Sequence, residues 1–333
     1  MNILFTTENG PIKQIYFPAQ ALHALETMGN VTYNQTDAPF TQEHLATAIG
    51  AQDVCLTHWD CPLFSDAVLQ HADKLKLIVH AAGSVADLVT PQVYELGIKV
   101  CSANNIMAKY VAEGVLAYIL AGLRCLPQQA YDVQHKQLWE KRVIESTSLV
   151  GARVGLVGLG TIGRFLVDFL KPFDVQIRIY DPYLSEDSIK GYPNIEMASL
   201  QDVLAWGDVI SVHASLTQET RGLLDSRMLA FIKDNALLVN TARGAIIDER
   251  ALAVELRKGR FRAVLDVYET EPLPLDSALR NLDNVILFPH VAGITAREQM
   301  SYAMIAEIER FSKGEPLQYE IPYEKFKLMT KEH

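Results

Sequence analysis

Val154-Gly155-Leu156-Val157-Gly158-Leu159-Gly160-Thr161-Ile162-Gly163 joins a valine-rich apolar run to the pattern Gly-x-Gly-x-x-Gly. The run predicts a buried strand, and the pattern from Thr161 to about Leu170 predicts a helix. Each glycine answers a physical need. Gly158 makes the tight turn from strand to helix, Gly160 leaves the backbone open to a pyrophosphate, and Gly163 lets the helix pack close on the strand. The N–H groups that open the helix, at Thr161 and Ile162, together with the helix dipole, favour phosphate charge.

Taken alone, such a pattern also fits a glycine-rich turn. Its context favours the dinucleotide reading. A second apolar strand, Val175 to Tyr180, ends in Asp181, about 20 residues beyond the glycines, where an acid accepts hydrogen bonds from the adenosine ribose. That carboxylate repels a 2′-phosphate, and Pro182 and Tyr183 supply no cation to offset it. The sequence therefore points to NAD rather than NADP.

The chain has 333 residues, 49% hydrophobic and 21% charged, enough material for two domains. A net charge of −10 argues against nucleic-acid and anionic-membrane partners. The N-terminus, Met1-Asn2-Ile3-Leu4-Phe5, has no basic segment before an apolar core, so no signal peptide is expected. The most apolar helical run, Tyr110 to Leu123, carries Glu113 and is short for a bilayer. Cys55, Cys61, Cys101 and Cys125 lack Cys-x-x-Cys spacing, which predicts reduced thiols, a cytoplasmic protein and no metal site.

From the N-terminus, short apolar runs at Asn2 to Thr6, Val54 to Leu56, Leu75 to Val79 and Ile98 to Val100 alternate with helical stretches. One of these stretches opens at Thr90-Pro91 and closes at Gly97. Such alternation predicts parallel βαβ units and a small α/β domain. A long helix is expected from Ala108 to about Arg124, followed by a more polar stretch, Leu126 to Ser148, containing Trp139. That stretch reads either as an arm reaching a second subunit or as a surface helix-loop. Beyond Asp181, strands are expected near 208–213, 236–239, 263–267 and 285–288, with Asp248 capping a helix that ends near Gly259. Thr295-Ala296-Arg297-Glu298 has capping-box form and predicts a helix to about Ser312. That helix and the tail are expected to return to the N-terminal domain, leaving a cleft between the domains. The organisation expected is residues 1–105 with 296–333 as a discontinuous substrate domain, and 106–295 as the NAD-binding domain.

Three segments directly after predicted strands carry chemistry: Asn240-Thr241-Ala242-Arg243-Gly244, Asp266 through Pro272, and Phe288-Pro289-His290-Val291-Ala292-Gly293. Ligands of open parallel sheets bind outside the carboxyl ends of the strands. Arg243, Glu271 and His290 are thereby expected at the same edge as the dinucleotide. An arginine grips a carboxylate through a bidentate fork. A histidine exchanges a proton near neutral pH, and an adjacent carboxylate orients its ring and favours the imidazolium. Singly, the three also fit a salt bridge, a loop histidine and a turn acid, the last being the reading given to Glu269.

With these segments the chain resembles the D-isomer-specific 2-hydroxyacid dehydrogenases over nearly its whole length. The resemblance rests on Val111-Ala112-Glu113, the glycine loop, His213-Ala214-Ser215-Leu216-Thr217-Gln218-Glu219-Thr220-Arg221-Gly222, the Arg243 segment, Asp266 through Pro272, and Pro289-His290. It implies a Rossmann-type doubly wound parallel sheet beside a smaller flavodoxin-like α/β domain. It implies Arg243 as binder of the substrate carboxylate and carbonyl, His290 as acid/base and Glu271 as its partner. It implies Asp266 as a ligand of the nicotinamide carboxamide. The cofactor site would draw further on Val111, His213, Ala214, Ser215, Thr220, Thr241, Ala242 and Gly293, and the protein would be a homodimer. Two departures stand out. Ser215 replaces the proline of the His-x-Pro-Leu-Thr motif. Ala82-Gly83-Ser84-Val85-Ala86 replaces the family's Gly-x-Gly-x-Asp substrate loop, although a nest of N–H groups at Gly83 and Ser84 would still hold a carboxylate.

The function expected is NAD-dependent interconversion of a D-2-hydroxy acid and its 2-oxo acid, the acid itself being unidentified. A dinucleotide-sensing, corepressor-like interaction protein and a dehydrogenase of another small anion are the alternatives. The residue before His290 is Pro289, not the glutamine that formate-oxidising relatives show, which counts against formate.

Overall fold

The computed structural model describes residues 1–136, 146–192, 194–327 and Met329; of the expected arm, Leu126–Lys136 forms a helix, and 137–145, with Trp139, lie outside the described residues. The chain forms two compact units, Met1–Met107 with Thr295–His333, and Ala108–Ile294.

The first unit contains strands β1 (Asn2–Phe5), β2 (Asn30–Tyr33), β3 (Val54–Thr57), β4 (Leu77–His80) and β5 (Lys99–Ser102). All pair in parallel in the order β2-β1-β3-β4-β5, the flavodoxin-like order. β3 and β4 are buried throughout, as strands covered by helices on both faces must be. β2 is a polar edge strand with half its residues exposed, and so gave no apolar signal in the sequence. The end of the chain returns to this unit. Ile321 N donates to Val100 O at 2.8 Å, and the fully buried Glu307 carboxylate accepts from the N–H groups of Gln318 and Tyr319.

The second unit contains β6 (Arg153–Val157), β7 (Gln176–Tyr180), β8 (Ile195–Met197), β9 (Val209–Val212), β10 (Leu237–Asn240), β11 (Arg262–Leu265) and β12 (Val285–Leu287). They make one parallel sheet in the order β12-β11-β10-β9-β6-β7-β8. The chain reverses direction across the sheet between β6 and β9, which is the topological switch point where such sheets bind ligands. The helix Thr161–Leu170 follows β6, and β7 follows in turn.

The register positions the chemistry. Val157 pairs with Tyr180 and Val212, Val212 with Asn240, Asn240 with Leu265, and Leu265 with Leu287. Asp181, Gly158, His213, Thr241, Asp266 and Phe288 each come next in sequence, so they lie in one row along the carboxyl edge. The sequence motifs, from Gly158 to Phe288, span 288 − 158 = 130 residues, and the ladder brings them side by side.

The helix Asn104–Leu123 is 20 residues long, longer than the apolar run suggested. Its length and composition would suffice to cross a membrane, but Val111, Ala112, Val115 and Ile119 are buried, and Gly122 lies against the side chains of Leu237 and Val264. The capping box expected at Thr295 does not form. A 3-10 turn, Ile294–Ala296, already carries the chain into helical geometry, and the residue before the helix Arg297–Ser312 is Ala296 with no side-chain cap. Thr295 thus lacks the extended conformation a capping residue needs.

Candidate active site and dinucleotide cradle

The glycine loop has the geometry its spacing demands. Gly158 has φ +93°, and a β-carbon there would lie 2.7–2.9 Å from the His213–Ala214 backbone. Only glycine fits. At Gly163 a β-carbon would press on the Gly158 carbonyl at 3.3 Å, so the helix sits directly against the turn. At Gly160 nothing lies within 4 Å, and the residue is exposed. The middle glycine therefore faces open space at a helix N-terminus, as a phosphate approach requires. Asp181 Oδ2 accepts from Leu159 N at 2.9 Å and Oδ1 from Tyr183 N at 3.0 Å, which fixes the carboxylate beside the loop. Farther along the same edge Thr241 is buried, and its hydroxyl has no hydrogen-bond partner within the described residues. These features fit a dinucleotide: a loop open to phosphate, an anchored acid, and a hydroxyl in want of a partner.

His213 extends the row. Its Nε2 lies 2.8 Å from Ser211 Oγ, and burial of the ring pushes its pKa down to about 4, so it is neutral at pH 7. The loop beyond it is held by Thr220, whose hydroxyl donates to Ser215 O at 2.6 Å and accepts from Thr217 N at 2.7 Å. That pair shapes the turn without the proline the family has at position 215. Val111 is buried on the long helix, and Ala242 and Gly293 lie half-buried on the loops after β10 and β12.

Arg243 is shaped from the strand end. Asn240 Oδ1 accepts from Ala242 N at 3.0 Å while its Nδ2 donates to Arg243 O at 3.1 Å, closing a side-chain turn around Thr241–Arg243. The next residue, Gly244, has no room for a side chain: a β-carbon would lie 1.9–2.4 Å from the Tyr268–Glu269 backbone. The Arg243 loop is thereby laid directly on the loop that carries Glu271.

His290 Nδ1 is 2.7 Å from Glu271 Oε2, and Glu271 Oε1 accepts from Tyr268 N at 3.0 Å. The hydrogen bond that the His290 ring donates to the Glu271 carboxylate raises the His290 pKa. Burial opposes that rise, the Glu271 charge adds to it, Arg243 opposes it and Asp266 adds to it. Burial disfavours the Glu271 carboxylate, but the His290 bond, the Tyr268 N–H and the charges of His290 and Arg243 outweigh it, leaving its pKa lowered. The pair is thus a carboxylate and an imidazole biased toward its protonated form, with a guanidinium close enough to act on both. Such a group can donate a proton to an oxyanion held by the guanidinium. Glu269 has another task. It and Glu249 bond each other's N–H groups at 2.9 and 3.1 Å, tying its loop to the start of the helix Glu249–Arg257.

Asp266 is 1% exposed, and its two oxygens accept from Val291 N, Ala292 N and the Tyr118 hydroxyl. Spacing gave no sign of Tyr118 or of Gly114 on the same helix. A glycine inside a long helix, four residues before a tyrosine, was the available signal, because glycine there costs about 1 kcal/mol unless something must come close.

The 82–84 stretch lies in the first unit, after β4. Ala82 and Gly83 are buried, Ser102 Oγ donates to both their carbonyls, and Ser84 Oγ accepts from Ala86 N at 3.2 Å.

Residues 116–292 match the family pattern of the "D-isomer specific 2-hydroxyacid dehydrogenase, NAD binding domain". The chain is 33% identical over 89% of its length to a D-3-phosphoglycerate dehydrogenase of Methanocaldococcus jannaschii, of which it covers 56%. It is 33% identical over 86% of its length to a glyoxylate reductase of Thermofilum pendens, of which it also covers 86%. The chain thus spans about half the length of phosphoglycerate dehydrogenases it matches. Among solved structures, TT0316 from Thermus thermophilus superposes with a TM-score of 0.81 at 26% identity, covering 97% of this chain and 100% of that one.

Proposed function

The chain belongs to the D-isomer-specific 2-hydroxyacid dehydrogenase family, and from that premise we propose that it interconverts a D-2-hydroxy acid and its 2-oxo acid with NAD. The observation that carries this reading is the 2.7 Å contact of His290 Nδ1 with Glu271 Oε2, on a loop laid against that of Arg243. Bound NAD supplies the hydride chemistry. Gly158, Gly160, Thr161, Ile162, Gly163, Asp181 and Thr241 would hold it, and Asp181 selects against a 2′-phosphate.

In the reducing direction Arg243 holds the substrate carboxylate and polarises the carbonyl. His290, with Nδ1 turned to Glu271, presents Nε2 and gives its proton to the developing alkoxide. Glu271 stabilises the imidazolium before transfer. In the oxidising direction the neutral imidazole takes the hydroxyl proton. The four free cysteines suit a reducing, cytoplasmic setting, and a homodimer is what the family resemblance implies.

The test is NADH oxidation with glyoxylate, hydroxypyruvate, pyruvate, phenylpyruvate, branched 2-oxo acids and phosphohydroxypyruvate, with the chirality of each product read. A D-product with NADH, lost by about 10²–10⁴-fold in His290→Ala while NADH still binds, is the expected result. Full turnover in His290→Ala overturns the acid/base assignment. NADH binding with no turnover on any acid, together with an NADH-dependent protein partner, would replace the enzyme reading.

A further inference from the structure

The loop that carries His290 is held from four sides. Tyr118 stacks on Phe288 with ring centroids 4.3 Å apart and planes 6° from parallel. Tyr268 donates its hydroxyl to Phe288 O at 2.7 Å. Beyond the histidine, Asp266 accepts from Val291 N and Ala292 N, both at 2.9 Å. On the helix Asn104–Leu123, a β-carbon added at Gly114 would lie 2.6 Å from Ala292 O. Between these fixed points His290 has φ +55°, in the left-handed region that a non-glycine residue occupies only when its surroundings hold it there.

We propose that Gly114 and Tyr118 are positioning residues for His290, acting through Asp266 and the backbone of residues 288–292. Gly114 lets the helix come against Ala292. Tyr118 donates to Asp266 Oδ1 at 3.1 Å, the same oxygen that accepts from Val291 N, and orients that carboxylate toward the loop. Burial, with the charge and hydrogen bond of Asp266, raises the Tyr118 pKa, so the phenol remains a donor at every working pH. A carboxylate with three donors is fixed in place, and it fixes in turn the two peptides that follow the histidine. This inference rests on His290 as the acid/base.

The experiment is a double-mutant cycle on the full chain, with the best oxo acid of the panel as substrate. Tyr118→Phe keeps the ring on Phe288 and removes only the hydroxyl. It should lower kcat about tenfold, leave KM for NADH within about twofold, and speed amide exchange at Val291 and Ala292. In a His290→Ala background it should lower kcat no further. Gly114→Ala forces Ala292 to move, so it should lose about 10²-fold in kcat along with some melting temperature, which leaves Tyr118→Phe as the deciding variant. Tyr118→Phe turnover within twofold of wild type, or the same fold loss on top of His290→Ala, overturns the proposal while leaving the acid/base reading intact. Full turnover in the single variant His290→Ala overturns both.

Discussion

Glu271 Oε2 and His290 Nδ1 lie 2.7 Å apart, nineteen residues apart in the chain, and this bond raises the pKa of the imidazole while lowering that of the carboxyl. Reduction of an oxo acid needs the protonated ring. As pH rises through the pKa of His290, the proton is lost and reductive turnover falls. Glu271→Gln removes the stabilising charge, lowers that pKa and moves the fall to lower pH. The pH dependence of kcat/KM in the reducing direction checks this, and an unmoved profile would take Glu271 out of its role.

The first and the middle glycine of the nucleotide loop should fail differently. Gly158→Ala places a β-carbon 2.7 Å from Ala214 N at φ +93°, so the fold itself suffers, by about 2 kcal/mol or more. Gly160→Ala meets nothing within 4 Å and should fold normally while binding NADH more weakly. Thermal melts beside NADH fluorescence titrations separate the two, and equal loss of stability in both variants would refute the assignment.

Asp181 is fixed by Leu159 N and Tyr183 N next to the loop. Asp181→Asn keeps an oxygen for one of these N–H groups and removes the charge that repels a 2′-phosphate. The ratio of kcat/KM with NADPH to that with NADH should rise at least about fivefold, given about 1–4 kcal/mol for like charges near 4 Å. An unchanged ratio would place cofactor choice elsewhere.

His58 and His80, at the carboxyl ends of β3 and β4, are 1% and 3% exposed. Burial pushes each pKa down to about 3, and His58 acts on His80 in the same direction. Both ring nitrogens of His58 lack a hydrogen-bond partner within the described residues. The unfolded chain protonates these rings near pH 6.5, whereas the folded chain does so only near 3. Stability is therefore complete above 6.5 and declines as pH falls through that window, by about 1.4 kcal/mol per pH unit for each neutral ring. Urea melts at pH 7 and pH 5 should show the decline, and His58→Leu should flatten it. A His58→Leu protein as acid-sensitive as the wild type would contradict the argument.

Much of the second unit was legible before any coordinates. Its central strands β6, β9, β10 and β11 are almost wholly buried, so their apolar runs stand out, and Gly158, Asp181 and Asp248 mark turns between elements. Asp248 does cap its helix, accepting from Ala251 N at 2.9 Å. The strands β2 and β8 escaped notice because an edge strand keeps one side to water and needs no apolar run. Thr295 misled because a capping motif names residues and not the conformation of the turn before them.

Sequence by itself determined which groups this protein has at its strand ends: an open glycine loop, an acid beyond the next strand, and an arginine, glutamate and histidine in order. Local chemistry is written in neighbouring residues, and periodicity reports burial. The tertiary structure decided their mutual placement. The ladder register aligns Gly158, His213, Thr241, Asp266 and Phe288, Gly244 closes one loop on another, Tyr118 meets the histidine loop through Asp266 and Phe288, and Gly114 meets it at Ala292. No single stretch encodes those contacts, because each depends on the packing of elements far apart in the chain.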